Sequence, residues 1–321
     1  MSEPVSTPCT ACNWTQERQN HCGYKSHVKI IHDAGNRAAW ALGSALILKD
    51  RGPGSPTYEV RNLQFVRDNT TIPVPVLIDT WEEEEYDIER EERRGNTPRT
   101  FLLTRRIPGE TLHEAWPKLT AAGRANIARQ TAEYLQQLRG LTSPKLEAIG
   151  GDPIQCCFLF MQNEEHGQDV EKQEKHSRTS DVLWPQGPLG SDDELWAAMS
   201  QGLLMGVPEA ARVRLRNRLP AAGPYTFTHG DLSDVNIMVK DGSLTGIIDW
   251  ERAGYFPVWW EYVGTVIADS PEDREWKTLL RAYMPEYSTA FEWWKDYYFL
   301  CRDLESERAS KLLEEAGNES R

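Results

Sequence analysis

The most constraining feature of this chain is His229-Gly230-Asp231-Leu232-Ser233-Asp234-Val235-Asn236, followed thirteen residues after the asparagine by Asp249 within Ile247-Ile248-Asp249-Trp250-Glu251. Between them, Asn236-Ile237-Met238-Val239 and Leu244-Thr245-Gly246-Ile247-Ile248 are short β-rich apolar runs around Lys240-Asp241-Gly242-Ser243. Asp-Gly between two such runs is a hairpin signal. A hairpin here returns Asp249 to the side of Asn236, so that one ion can be reached by both. Hard oxygen ligands of this kind suit magnesium, which binds through few protein groups and completes its shell on phosphates. An acid at 231, an amide five residues on and a second acid eighteen residues on are the parts that phosphoryl transfer from ATP to a hydroxyl requires.

His-Gly-Asp with Asn five on, then Ile-Asp-Trp-Glu, resembles the aminoglycoside phosphotransferase and choline kinase family of small-molecule kinases. The resemblance implies an α+β, bilobal protein-kinase-like fold with a small antiparallel β-rich N-lobe and a larger, mainly helical C-lobe. It also implies ATP and Mg2+ as cofactors. Asp231 is then the catalytic base or hydroxyl-positioning carboxylate, Asn236 and Asp249 the magnesium ligands, and His229 a structural hydrogen-bonding residue that sets the loop. Ser233 stands where many protein kinases keep a lysine, which leaves the γ-phosphate to be stabilised by another group. Asp234 is expected to be an exposed cap or turn acid.

Further matches lie upstream. Ala45-Leu46-Ile47-Leu48-Lys49 reads as a buried strand ending in lysine, and Tyr58 to Val66 carries apolar residues at helical spacing with Glu59 at its start. By the resemblance Lys49 clamps the α/β-phosphates and Glu59 holds it. Phe101 to Leu112 resembles the family's strand, hinge and first C-lobe helix, with Thr104 behind the nucleotide and the backbone of Arg105 and Ile107 bonding adenine. The phosphate loop is the thinnest match. Val28–Ile31 and Ala38–Leu42 can pair as strands, and the turn between them has a single glycine. Backbone amides of Gly35 and Asn36, with Arg37, can cover phosphates, or the segment is a plain hairpin turn.

The chain divides on this reading into a polar arm (1–27), an N-lobe (28–107), a C-lobe (108–305) and a polar tail (306–321) expected to be less ordered. Helices are expected over Thr120–Leu141, Asp192–Met205 and Pro208–Leu219, and an aromatic helix around Phe291–Leu300. In the arm, Cys9, Cys12 and Cys22 with His21 or His27 number enough for a zinc site, but the spacing matches no standard finger, so free thiols are expected. The acidic run within 82–92 reads as a solvated insertion between strands. The segment from Gly150 to Ser191 is expected to help enclose the acceptor, and Cys156-Cys157 to be packing.

No apolar run approaches the ~20 residues of a membrane span, and the polar N-terminus lacks a secretory signal core. A cytoplasmic protein with reduced thiols is therefore expected. The net charge of −13 argues against nucleic acid as a partner. The expected partner is a small hydroxyl acceptor of cationic or amine-bearing type, with the aromatics after Asp249 and Glu251, Glu261 or Asp269 as candidate contacts. The acceptor's identity and the oligomeric state are left open. So are a pseudokinase or nucleotide-binding scaffold, and a kinase of protein side chains, the last disfavoured by the short segment between Asp249 and Trp260.

Overall fold

The computed structural model describes residues 28–34, 37–53, 58–83, 86–87, 92–93, 98–161 and 185–319. Gly35 and Asn36, the arm with Cys9, Cys12, His21, Cys22 and His27, most of the acidic insertion and the stretch around 163–180 lie outside the described residues. The chain separates into two compact units, residues 1–115 with 235–251 and residues 116–234 with 252–321.

The first unit is built on five antiparallel strands, β1 (Val28–Ala34), β2 (Arg37–Leu42), β3 (Leu46–Pro53), β4 (Leu77–Glu83) and β5 (Arg99–Arg105), in the order β1-β2-β3-β5-β4. Side chains alternate across a strand, so Lys49 and Arg51 of β3 share one face while Asp50 turns to the other. There Asp50 is buried and bonds the Arg99 guanidinium at 2.5 Å. Helix α1 (Tyr58–Asn69) buries Glu59, Asn62, Leu63 and Val66. The i, i+3, i+4, i+7 spacing makes one stripe, and the acid falls in the first turn, where the helix dipole favours it.

The expected hairpin forms. Ile237–Lys240 pairs with Ser243–Ile247, and Asp241 and Gly242 carry φ of 51° and 73°, the two positive values that a type I′ turn needs. Glu110–Thr111 adds a third strand. Gly246 is fixed by space: a Cβ there would lie 2.3 Å from Ile107 Cδ1 and 3.0 Å from the Pro73 carbonyl oxygen, which accepts from the Ile247 N–H at 2.9 Å.

In the second unit, helix Ala121–Arg139 is capped by Thr120, whose hydroxyl accepts the Gly123 N–H at 3.1 Å. It buries Ile127, Ala128, Thr131, Leu135 and Leu138. A small sheet places Tyr225–Thr228, buried throughout, between Thr142–Ser143 and Gly254–Phe256. Helices Asp192–Ser200, Glu209–Asn217, Trp260–Gly264, Pro271–Arg281 and Ser288–Arg302 belong to the same unit. The first of these ends at Ser200, short of the expected Met205, and just beyond it Gly202 packs against the Met161 carbonyl, 2.2 Å from where a Cβ would stand. Trp259 packs edge-on against Trp293 at 6.0 Å between centroids and Trp260 against Trp294 at 6.3 Å; these aromatics are core. The tail expected to be less ordered is instead the helix Glu307–Glu319, with Ala309 and Ala316 buried and Arg308 bonded to Asp296 at 2.6 Å. Small residues at i and i+7 give it a docking face that its polar composition concealed.

Candidate active site

In the first unit, charged groups converge from β3, α1 and the segment after the hairpin. Lys49 Nζ lies 2.7 Å from Glu59 Oε1 and 3.0 Å from Asp249 Oδ1. Arg51 reaches the same two acids, Glu59 through Nη2 and Asp249 Oδ1 at 3.0 Å, and holds Glu251 through Nη1 at 2.6 Å. Glu251 also takes Arg37 at 3.1 Å. Burial works against the charged forms of Glu59 and Asp249, but the Lys49 and Arg51 charges outweigh it and hold both carboxyls below the usual carboxylate range. All three acids are thus engaged by cations.

Asn236 is brought beside this cluster by the hairpin: its carbonyl accepts the Ile248 N–H at 2.9 Å, one residue before Asp249. Asp249 has φ +65°, a left-handed conformation that costs a non-glycine residue of order 1 kcal/mol or more. It is held there by its neighbours: Trp250 Nε1 donates to the Ile247 carbonyl at 2.8 Å, and Asn62 of α1 donates to the Trp250 carbonyl at 2.8 Å. Among the described residues no group of three or more His, Cys, Asp or Glu side chains is arranged to hold a metal. An amide oxygen and one carboxylate nevertheless fit a hard cation that completes its shell on phosphate. Where the hinge was expected, Thr104 is buried, and the Arg105 N–H is used within the unit, donating to the Val76 carbonyl at 2.9 Å.

The second unit carries Asp231. The strand Tyr225–Thr228 leads into His229, which is fully buried; its N–H donates to Glu261 Oε2 at 3.0 Å and its Nδ1 accepts the Asp231 N–H at 3.3 Å. Gly230 has φ +80°, and a Cβ there would lie 2.3 Å from the Arg252 carbonyl oxygen. Only glycine fits between histidine and aspartate. Asp231 is left half-exposed, with Arg252 Nε 4.0 Å from Oδ2.

Asp234 is not the exposed acid the sequence suggested. It is 3% exposed, and its N–H donates to Asp273 Oδ1 at 3.0 Å. Asp273 is paired in turn with Lys277 at 2.7 Å, and Lys277 donates to the Ile267 carbonyl at 2.5 Å. This buried pair ties the end of the Asp231 loop to the 267–269 segment. The loop and that segment wall one pocket, lined by Asp231, Glu261, Asp269, Lys277, Phe158 and Trp260. Burial pushes the Glu261 carboxyl up to about 7, against the opposing pull of the His229 N–H and Lys277. Cys156 also borders the pocket, its thiol raised to about 12 by burial, which makes it packing and not a nucleophile.

Of the acids considered as amine contacts, Glu261 and Asp269 line this pocket, whereas Glu251 is held by two arginines in the other unit. Sequence reasoning missed Arg51, Glu251 as its partner, and Asp273. The first had a signal: a basic residue two positions from Lys49 on a strand must share its face. Asp273 had none, since Ser270-Pro271-Glu272-Asp273 reads as an ordinary helix start whose acid caps the helix.

An antiparallel sheet with a buried lysine–glutamate pair and a helical unit carrying His-Gly-Asp define a protein-kinase-like α+β fold. A model of the phosphotransferase enzyme family matches residues 27–297, and the chain belongs to that family. It is 31% identical over 77 residues to an aminoglycoside 3'-phosphotransferase of Enterococcus faecalis, a stretch that spans 24% of this chain and 29% of that relative. Among solved structures it is similar to the streptomycin–ATP ternary complex of APH(2'')-IIa, at TM-score 0.49 and 13% identity over 91% of each chain. It is also similar to the GDP complex of wild-type aminoglycoside 2'-phosphotransferase-IIIa, at TM-score 0.48 and 15% identity over 92% of this chain and 94% of that one.

Proposed function

We propose that this phosphotransferase-family chain transfers the γ-phosphoryl group of ATP, with Mg2+, to a hydroxyl of a small cationic or amine-bearing molecule in the cytoplasm. The observation that carries the reading is the buried Lys49–Glu59 pair sharing Asp249, with Asn236 hairpinned beside it. A lysine held by Glu59 in this way is positioned to receive phosphate oxygens. The nucleotide would lie on the first unit, with adenine on the Arg105 carbonyl and the Ile107 backbone beside Thr104, and the acceptor on the second; the hairpin 235–251, expected within the 108–305 lobe, belongs to the first unit.

Asn236 and Asp249 would hold the magnesium ion, which supplies neutralisation of charge on the phosphates. Asp231 Oδ orients the acceptor hydroxyl and takes its proton as the oxygen bonds to phosphorus and the bond to the ADP oxygen breaks. His229 and Gly230 set that carboxylate: one bonds its backbone, the other lets the chain pass Arg252. Phe158 and Trp260 offer an apolar wall, and Glu261 and Asp269 offer acids to an amine-bearing acceptor.

The test is ADP release by the purified chain with MgATP and a panel of aminoglycosides, amino alcohols and hydroxylated amines, with Asp231→Asn as control. Acceptor-dependent release lost in the variant supports the reading. Tight nucleotide binding without turnover on any acceptor would point to a nucleotide-binding scaffold instead.

A further inference from the structure

The first unit holds more positive charge at the lysine site than the phosphoryl-transfer motif requires. Arg37, Lys49 and Arg51 face Glu59, Asp249 and Glu251, three bases to three acids. Glu251 is the link: Arg37 Nη1 sits on its Oε1 at 3.1 Å and Arg51 Nη1 on its Oε2 at 2.6 Å. Arg51 is 8% exposed, and its Nε is buried with no hydrogen-bond partner among the described residues. Leaving a buried guanidinium donor unpaired costs free energy, and a role in binding a ligand would account for its being kept.

Asp249 Oδ1 accepts from Lys49 and Arg51 together, both at 3.0 Å. Its charge is therefore already compensated. A divalent cation taken by Asp249 must compete with these two bases, and once there it leaves the cluster with an excess of positive charge. Phosphate oxygens are the anions that match such an excess, and arginine's planar fork binds them in pairs. The position is suitable, because Arg37 opens β2, which pairs with β3, and Arg51 lies on the face of β3 that presents Lys49.

Resting on the kinase reading above, we infer that Arg51 and Arg37, bracketed by Glu251, form a second phosphate clamp beside Lys49. Arg51 bonds the carboxylate assigned to the metal, and when MgATP binds it moves those hydrogen bonds to the phosphates. The clamp takes over the grip that a glycine-rich loop supplies elsewhere.

The test is calorimetric binding of MgATP and of adenosine to the whole chain and to Arg51→Met, Arg51→Lys and Arg37→Gln. Arg37→Gln alters a one-third-exposed side chain and should fold even where Arg51→Met does not. The clamp predicts that MgATP affinity falls about tenfold or more in Arg51→Met and severalfold in Arg37→Gln. Adenosine affinity should stay within about twofold, and Arg51→Lys should recover part of the loss. Equal weakening of MgATP and adenosine, or an unchanged ratio in Arg37→Gln, would overturn the clamp and leave the arginines structural. If the wild-type chain bound adenosine but gained no affinity from the phosphates with magnesium, the kinase reading itself would fail.

Discussion

Lys49 and Glu59 meet at 2.7 Å with the glutamate almost wholly buried. A buried acid held by two bases is costly to break from one side, because the partner charges remain without compensation. Glu59→Ala should therefore lower stability by about 3–5 kcal/mol. Glu59→Gln keeps the shape and one acceptor and should lose less. Thermal unfolding of the two variants beside wild type measures this, and near-identical melting for Glu59→Ala would show that the pair does not organise the first unit.

Asp231 is 43% exposed at its side chain, and it is its backbone N–H that bonds His229. Asp231→Asn should leave stability nearly unchanged while kcat falls about 10²–10⁴-fold, the usual worth of a positioned general base. Steady-state kinetics with melting curves on the same preparation separates the two effects.

At Gly230 the demand is steric. With φ +80° and the Arg252 carbonyl oxygen 2.3 Å from where an added Cβ would stand, Gly230→Ala carries strain of about 1–3 kcal/mol plus the clash with backbone. The melting temperature should fall by a few degrees, at about 1.5 °C per kcal/mol for a chain of 321 residues. Activity should fall further than stability, since the displaced residue adjoins Asp231.

Glu261 gives a pH dependence with a definite sign. Burial raises its carboxyl from 4.5 in the unfolded chain to about 7 in the folded one. Between those values the folded state binds more protons than the unfolded state, so stability falls as pH rises from about 4.5 to about 7 and is flat above it. The whole effect is at most about 3 kcal/mol. Glu261→Gln keeps an acceptor for the His229 N–H and should remove this slope. Melting temperature against pH for both proteins tests it; parallel curves would contradict the assignment.

What the sequence disclosed depended on the range of the interaction. The hairpin from Ile237 to Ile247 was legible because Asp241-Gly242 encodes its own turn. The α1 stripe was legible because Glu59, Asn62, Leu63 and Val66 recur at helical spacing. The Lys49–Glu59 pair could be expected from their order and the family resemblance, but no local pattern states it, and the contact of Lys49 with Asp249 was not foreseen. Arg51 escaped notice because it reads alone as a surface charge, and Glu251, expected as an amine contact, is instead its partner at 2.6 Å, a pairing that only the fold brings about. Asp234 was misplaced for a related reason: its burial is set by Asp273, thirty-nine residues away. The helix Glu307–Glu319 was hidden by polar composition, its buried face resting on alanines.

The most direct measurement follows the phosphoryl group itself, by phosphorus NMR of MgATP with an amine-bearing hydroxyl acceptor, using wild type and Asp231→Asn. A new phosphate-ester resonance growing as the γ-phosphate signal falls, and absent with the variant, is the expected result. Conversion of ATP to ADP and inorganic phosphate alone, or ester formation undiminished in Asp231→Asn, would contradict phosphoryl transfer to an acceptor positioned by Asp231.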